Sequence, residues 1–198
     1  MRTILLTPQI YEMADNYAKT LFVGRTKKFE RPLPRLKEFL NELSKIQNLH
    51  TDYKRYVRMI IRLYPILNNL PPSNYRKVHL NGFNDFKIDL SKAIIIKGDK
   101  LPFYKHITEA MRYEKAREKE FLFYAKKLGI RACVYCNISY ALSPEVDNHT
   151  VGRYELDHAQ AQSAYPYLCT NFFNLYPVCS NCNMLLSKNF SAEEIFFE

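Results

Sequence analysis

Apolar positions recur at helical spacing through the first two thirds of the chain and in short alternating runs through the last third. Thr7-Pro8 is a capping residue followed by a proline suited to a first turn, and Ile10, Ala14, Tyr17, Ala18 and Leu21 then share one helical face. The run LPRLKEFLNELSKI predicts a second helix with Leu36, Phe39, Leu40 and Leu43 on one side. A third is expected from a cap at Thr51 or Asp52, through Val57, Ile60, Ile61 and Tyr64, to the stop at Pro71-Pro72. Residues 73–101 read as irregular, with NGFND as a turn and KAIII as a short strand or buried segment. One long helix is expected from Phe103 to Lys127, closing at Leu128-Gly129. Its middle, RYEKAREKE, reads as a salt-laced solvent face.

The texture changes at Ala132. CVYCNISYALS reads as a knuckle leading into an apolar stretch, SPEVDNHTVG as a polar loop and RYELDH as a strand. NFFNLYPVCSNCN then brings a second strand into a second knuckle, and NMLLSKN reads as a short helix. The predicted class is α+β, with a mostly helical region over residues 1–130 and a β–β–α module over 131–198 whose ends are clasped by cysteines.

Composition sharpens this division. With 198 residues and 47% apolar content the chain can bury a globular core. It contains no apolar run of membrane-spanning length, and its N-terminus does not read as a signal peptide, so a cytoplasmic protein without a membrane segment is expected. The net charge of +9 is uneven. Residues 1–130 hold 26 Lys+Arg against 13 Asp+Glu, a net of +13, and residues 131–198 hold 3 against 7, a net of −4. A basic body joined to an acidic module suits a polyanionic partner, DNA or RNA, held by one part and processed by the other. Arg55, Arg58 and Arg62 form a basic stripe along the third helix, readable either as a solvated face or as a phosphate-contacting one.

Four of the five cysteines form two pairs, Cys133-x-x-Cys136 and Cys179-x-x-Cys182, leaving Cys169 over. In a reducing compartment such paired knuckles point to structural zinc rather than disulfides. Inside the clasp lies Asp157-His158, a carboxylate next to an imidazole. Hydrolysing a phosphodiester needs a base near neutrality and a cation beside the developing charge, and a hard cation prefers oxygen ligands. Asp157 offers a carboxylate, His158 a base and Asn183 an amide oxygen.

CVYC, ELDH, Asn174 and VCSNCN, in that order, resemble the HNH endonucleases, metal-dependent nucleases built on a β–β–α metal finger. The resemblance spans about residues 130–190. It implies that His158 is the general base, that Asp157 and Asn183 hold a catalytic Mg²⁺ or Mn²⁺, and that Cys133, Cys136, Cys179 and Cys182 hold structural Zn²⁺. It further implies that Asn174 hydrogen-bonds the backbone between the strands and thereby fixes His158. Glu155 would orient a basic group or the water shell of the metal. Ser187 stands where some relatives carry a further histidine, which favours an oxygen-rich site. Where many relatives follow Asp-His with an apolar residue and proline, this chain has Ala159-Gln160-Ala161-Gln162, so the loop that phosphate would approach is expected to differ.

The texture YPYL…FFNLYPVCSNCN looks most like bacterial HNH subunits of anti-phage defence, several of which act beside an ATPase subunit. Two other readings stay open: a zinc-stabilised nucleic-acid or partner-binding module without activity, and a nuclease subunit whose helical part docks a regulator. The run SAEE at 191–194 reads as a capping box for a helix that the chain leaves short, suggesting truncation or completion by a partner.

Overall fold

Three helices open the chain as their apolar spacing requires: α1 (Pro8–Val23), α2 (Pro32–Lys45) and α3 (Thr51–Leu67). The computed structural model describes residues 4–23, 31–141, 145–146, 149–150 and 154–186. Each helix buries its predicted stripe: Ala14, Tyr17, Ala18 and Leu21 on α1, Leu36, Phe39 and Leu43 on α2, and Val57, Ile60 and Tyr64 on α3. Each fully buried Leu or Ile contributes about 1.5–3 kcal/mol.

The cap of α3 lies one residue before the expected position. His50 takes it, its Nδ1 accepting the Asp52 N–H at 3.3 Å, while Thr51 and Asp52 lie inside the helix. Asp52 turns inward, where it accepts the Lys87 N–H at 3.0 Å and the Arg55 guanidinium at 3.0 Å.

The region expected to be irregular opens with helical structure ahead of the expected strand. A 3₁₀ turn, Pro72–Asn74, leads into α4 (Tyr75–Gly82), a helix of eight residues whose buried anchor is Tyr75. Pro72 at the start of that turn is the local signal for it. After α4 the predicted strand appears as β1 (Ala93–Ile96), paired antiparallel with β2 (Asp99–Pro102) so that Ala93 faces Pro102 and Ile96 faces Asp99. The two-residue connection Lys97-Gly98 has positive φ at both positions, 53° and 93°, the backbone whose twist suits a tight hairpin.

The long helix expected from Phe103 is broken. α5 (Phe103–Ala110) ends at Met111, and Arg112 adopts a left-handed φ of 61°. The chain continues as α6 (Tyr113–Lys115), a π-helical segment (Ala116–Phe121) and α7 (Leu122–Lys127), which stops at Gly129 with φ 66° as the sequence suggests. Packing rather than local propensity accounts for the break. Met111, fully buried, receives the Cys169 thiol at a sulfur–sulfur distance of 3.7 Å, and Tyr113, just past the turn, packs on His158. The charged middle forms the expected pairs, Lys115–Glu118 at 3.0 Å and Arg117–Glu114 at 2.8 Å. Glu120 departs from that reading and is buried.

Beyond residue 130 lie the short pairs β3 (Glu145–Val146) with β4 (His149–Thr150), and β5 (Glu155–His158) with β6 (Leu175–Val178), followed by α8 (Ser180–Leu186). In the second pair Asp157 faces Tyr176 and His158 faces Leu175. The described residues thus form an α+β protein, mostly helical, with small two-stranded sheets. The expected capping box at 191–194 and Ser187 lie outside them.

One hydrophobic core runs across residue 130. Tyr17 of α1 meets Phe172 at 5.7 Å and Phe121 at 5.9 Å between ring centroids, and Tyr167 stacks on Phe83 at 3.8 Å. The loop between β5 and β6 is also tied to the end of α3 by buried polar groups. Thr170 donates to Asn68 Oδ1 at 2.7 Å, the Phe172 N–H to the Asn68 carbonyl at 2.9 Å, and the Asn171 amide to the carbonyls of Leu67 and Leu70 at 2.6 and 3.0 Å. Tyr75 of α4 donates to Asn171 Oδ1 at 2.7 Å. Burying groups of this kind without partners would cost about 1–3 kcal/mol each, so the pairing specifies where the loop sits.

Candidate functional site

Two tight turns carry the cysteines. In the first, Cys133 accepts the Asn137 N–H at 2.8 Å and donates its own N–H to Ser139, with Asn137 at φ 54°. The Val134 N–H reaches the Pro177 carbonyl at 3.3 Å, holding this turn beside β6. The second turn joins the end of β6 to the start of α8. All four sulfurs, those of Cys133, Cys136, Cys179 and Cys182, lie within 4.8 Å of one another. A tetrahedral zinc thiolate site needs sulfur–sulfur edges of about 3.8 Å, so this set fits a structural metal ion such as zinc. The N–H groups of Ser139 and Ile138 aim at Cys136 and bring its thiol down to about 6, favouring the thiolate that a metal requires. Burial raises Cys179, but the Cys182 N–H and its polar neighbours outweigh that and leave it below the ordinary thiol range.

Within the clasp, β5 presents Glu155 and Asp157 two positions apart, hence on one face, and His158 on the other. Their contacts follow that alternation. Asp157 Oδ2 accepts the Tyr135 hydroxyl at 2.6 Å, and its Oδ1 accepts the His158 N–H at 2.8 Å. Burial, then the bond to Asp157, raises the Tyr135 phenol far above its ordinary range, so it stays a donor. The His158 ring instead meets Tyr113, with centroids 4.8 Å apart.

The tautomer of His158 follows from its partner. A carbonyl only accepts, so Nε2, 3.0 Å from the Cys169 oxygen, carries the proton and Nδ1 keeps a lone pair. Burial pushes the imidazole down to about 4 against that bond and the Asp157 charge, so the ring is neutral at pH 7. The Gln162 amide lies 3.1 Å from Nε2 and 3.5 Å from Nδ1. Both distances are to the Gln162 amide nitrogen, which can donate to the lone pair of Nδ1 but not to the protonated Nε2.

Asn174 is fully buried and bonds the backbone of the connecting loop on both sides. It accepts the Gln160 N–H at 2.6 Å and donates to the carbonyls of Gln160 and Leu168 at 3.2 and 3.0 Å. The Ala159 N–H also reaches the Asn174 carbonyl at 3.1 Å.

Asn183 lies inside α8 rather than capping it, its N–H bonded to the Cys179 carbonyl at 3.0 Å. Its side-chain amide donates to Glu155, which brings α8 onto the Glu155–Asp157 face and leaves the amide oxygen available. The basic stripe of α3 is exposed at Arg55, Arg58 and Arg62, with Arg55 paired to Asp52 and its guanidinium 5.6 Å from the Phe86 ring centroid.

Sequence patterns select Asp157, His158, Asn174, Asn183 and the cysteines, but not Cys169, Tyr135, Tyr113 or Gln162 as their partners. The Cys169 contribution is a main-chain carbonyl, for which side-chain identity carries no signal. Tyr135 lies inside the first knuckle, and only its position between two cysteines hinted at proximity.

In comparisons with known proteins the chain matches no family model, no curated protein and no solved structure.

Proposed function

We propose that the protein is a metal-dependent endonuclease of the HNH type that hydrolyses DNA phosphodiester bonds. The observation carrying this reading is the setting of His158: an imidazole at the end of β5, its Nε2 proton committed to the Cys169 carbonyl and its Nδ1 lone pair kept for a proton. The loop that supplies the carbonyl is braced by Asn174.

In this reading Nδ1 of His158 accepts the proton of a water molecule as its oxygen attacks phosphorus, and the bond to the 3′ oxygen breaks. The products carry 5′-phosphate and 3′-hydroxyl ends. Asp157 and Asn183 would hold Mg²⁺ or Mn²⁺, which supplies a Lewis acid for the charge on the phosphoryl and leaving oxygens. Tyr135 holds the Asp157 carboxylate in one orientation, and the four cysteines anchor the ends of the two strands around it. Asn183, one residue after Cys182, takes its place from the same clasp. The basic body, including Arg55, Arg58 and Arg62, supplies affinity for phosphates that weakens with salt. The cellular role we assign is cytoplasmic anti-phage defence.

The Gln162 contact favours one variant of this reading. Its amide nitrogen lies 3.5 Å from Nδ1, at the outer limit of a hydrogen bond, and would turn aside for a water to reach that lone pair. That suits a subunit switched on by substrate or by an ATPase partner.

Cleavage of supercoiled plasmid by wild type and His158→Ala, each with Mg²⁺, Mn²⁺ or EDTA, tests the proposal. Nicking by wild type alone, abolished by EDTA, supports it. Equal cutting by the variant removes His158 from the chemistry, and zinc-loaded, folded protein that binds DNA without cutting favours a binding module.

A further inference from the structure

Arg117 lies in the π-helical segment beside β5. With Glu118, Leu122, Tyr154, Glu155 and Leu156 it lines a cavity of about 460 Å³ on the strand that ends in His158. The guanidinium carbon is 5.9 Å from the Tyr113 ring centroid, and the same ring lies 4.8 Å from the imidazole of His158. One aromatic side chain therefore touches both the cation and the base.

Among the described residues, the cavity lining sets Arg117 beside two carboxylates, Glu118 and Glu155. Glu118 pairs with Lys115 at 3.0 Å, and Glu155 accepts from the neutral Asn183 amide and keeps its charge, so Arg117 is the group on this lining that an anion would meet. Arg117 itself pairs with Glu114 at 2.8 Å, but both side chains are well exposed, at 41% and 63%. Such a pair is worth about 0–1 kcal/mol and exchanges readily for a better partner. A phosphate diester accepts two parallel N–H bonds from the planar guanidinium, a geometry that an ammonium group does not reproduce. The local backbone is also unusual: π-helical turns are rare and recur at functional sites, because the wider turn redirects the side chains on it.

Building on the nuclease reading, we infer that Arg117 grips a backbone phosphate of the DNA substrate in this cavity, exchanging Glu114 for the phosphate oxygens and seating the diester beside His158. Arg117 thus extends the site beyond the β–β–α element to the helical body.

The test compares wild type, Arg117→Ala, Arg117→Lys and Glu114→Gln, all checked for zinc content and melting temperature. Plasmid cleavage is measured with Mg²⁺, and binding of a short labelled duplex is measured in EDTA over a range of salt. Arg117→Ala should lower kcat by about 100-fold at unchanged melting temperature, as expected for removing a donor to the reacting phosphate. It should also reduce the slope of log affinity against log salt by about one phosphate contact. Arg117→Lys should restore the salt slope but only part of kcat. Glu114→Gln should lower KM by about 2–3-fold, since the competing carboxylate is gone. Unchanged kcat and salt slope in Arg117→Ala overturn the inference. If wild type fails to cut, the nuclease reading fails, and the salt slope alone then decides whether Arg117 holds a phosphate.

Discussion

Asn174 and Gln160 bond each other in both directions: the Gln160 N–H donates to Oδ1 at 2.6 Å and Nδ2 donates back to the Gln160 carbonyl at 3.2 Å. A side chain here does what a strand partner does for a backbone, at the point where the chain leaves β5. Because Nδ2 also reaches Leu168, one residue before the carbonyl that orients His158, the amide sets both ends of the turn that holds the base. Replacing Asn174 with Ala strips partners from buried backbone groups, at about 1–3 kcal/mol for each one left unsatisfied. Urea unfolding should show a loss of about 3 kcal/mol, and plasmid cleavage should fall with it.

The cysteine cluster predicts about one zinc per chain by elemental analysis. Removing it with a chelator, or replacing Cys133 with Ser, should lower the melting temperature by more than 10 °C, because the two cysteine turns hold the first knuckle, the end of β6 and the start of α8 together and metal binding is coupled to folding. Unchanged melting after complete zinc removal would show that the shared core suffices to hold them.

Tyr135→Phe removes the hydroxyl that donates to Asp157 at 2.6 Å and leaves the ring in place. Losing an outer-sphere partner of a ligand typically weakens a metal by about 10–100-fold. Titrating cleavage with Mg²⁺ should therefore show a half-saturation about 10-fold higher in the variant, with little change in melting temperature. An unshifted titration would count against Asp157 as a ligand.

Asp52 provides a pH test of the helical body. The Lys87 N–H, then the Arg55 guanidinium, hold its carboxyl below the ordinary carboxylate range against the opposing effect of burial. A group depressed in the folded state binds its proton more weakly there than in the unfolded chain. Its stabilisation is therefore complete above an ordinary carboxylate pKa of about 4 and is lost as pH falls through the lower folded value. Asp52→Asn should thus be less stable than wild type at pH 7, and the two urea midpoints should converge towards pH 3. A gap that persists at pH 3 would assign the effect to shape rather than charge.

Helices α1 to α3 were legible because a buried stripe at 3.6-residue spacing leaves a mark in every turn. The pairing of β5 with β6 was legible because cysteine spacing marks both ends of the module. The break at Arg112 was not: MRYEK contains no glycine or proline, and the turn is imposed by what Met111 must reach in the loop after β5 and Tyr113 at the last residue of that strand. α4 was missed because its apolar face is little more than Tyr75 and Val78. At the site, the residues that carry chemistry have recognisable types, whereas those that aim them do so through a carbonyl, a phenol and an amide lying far apart in the chain.

The contacts of Asn68 with Thr170 and Phe172 bear on how this protein can be taken apart. The turn between the two strands rests on the end of α3 and puts Tyr167, Phe172 and Phe173 into a core shared with α1 and α4. A fragment beginning near residue 131 would therefore carry three large aromatic faces stripped of their neighbours. The β–β–α element is accordingly not a cassette that can be cut out and grafted onto another carrier. Any exchange of parts between this chain and another would have to move the helical cradle along with the finger.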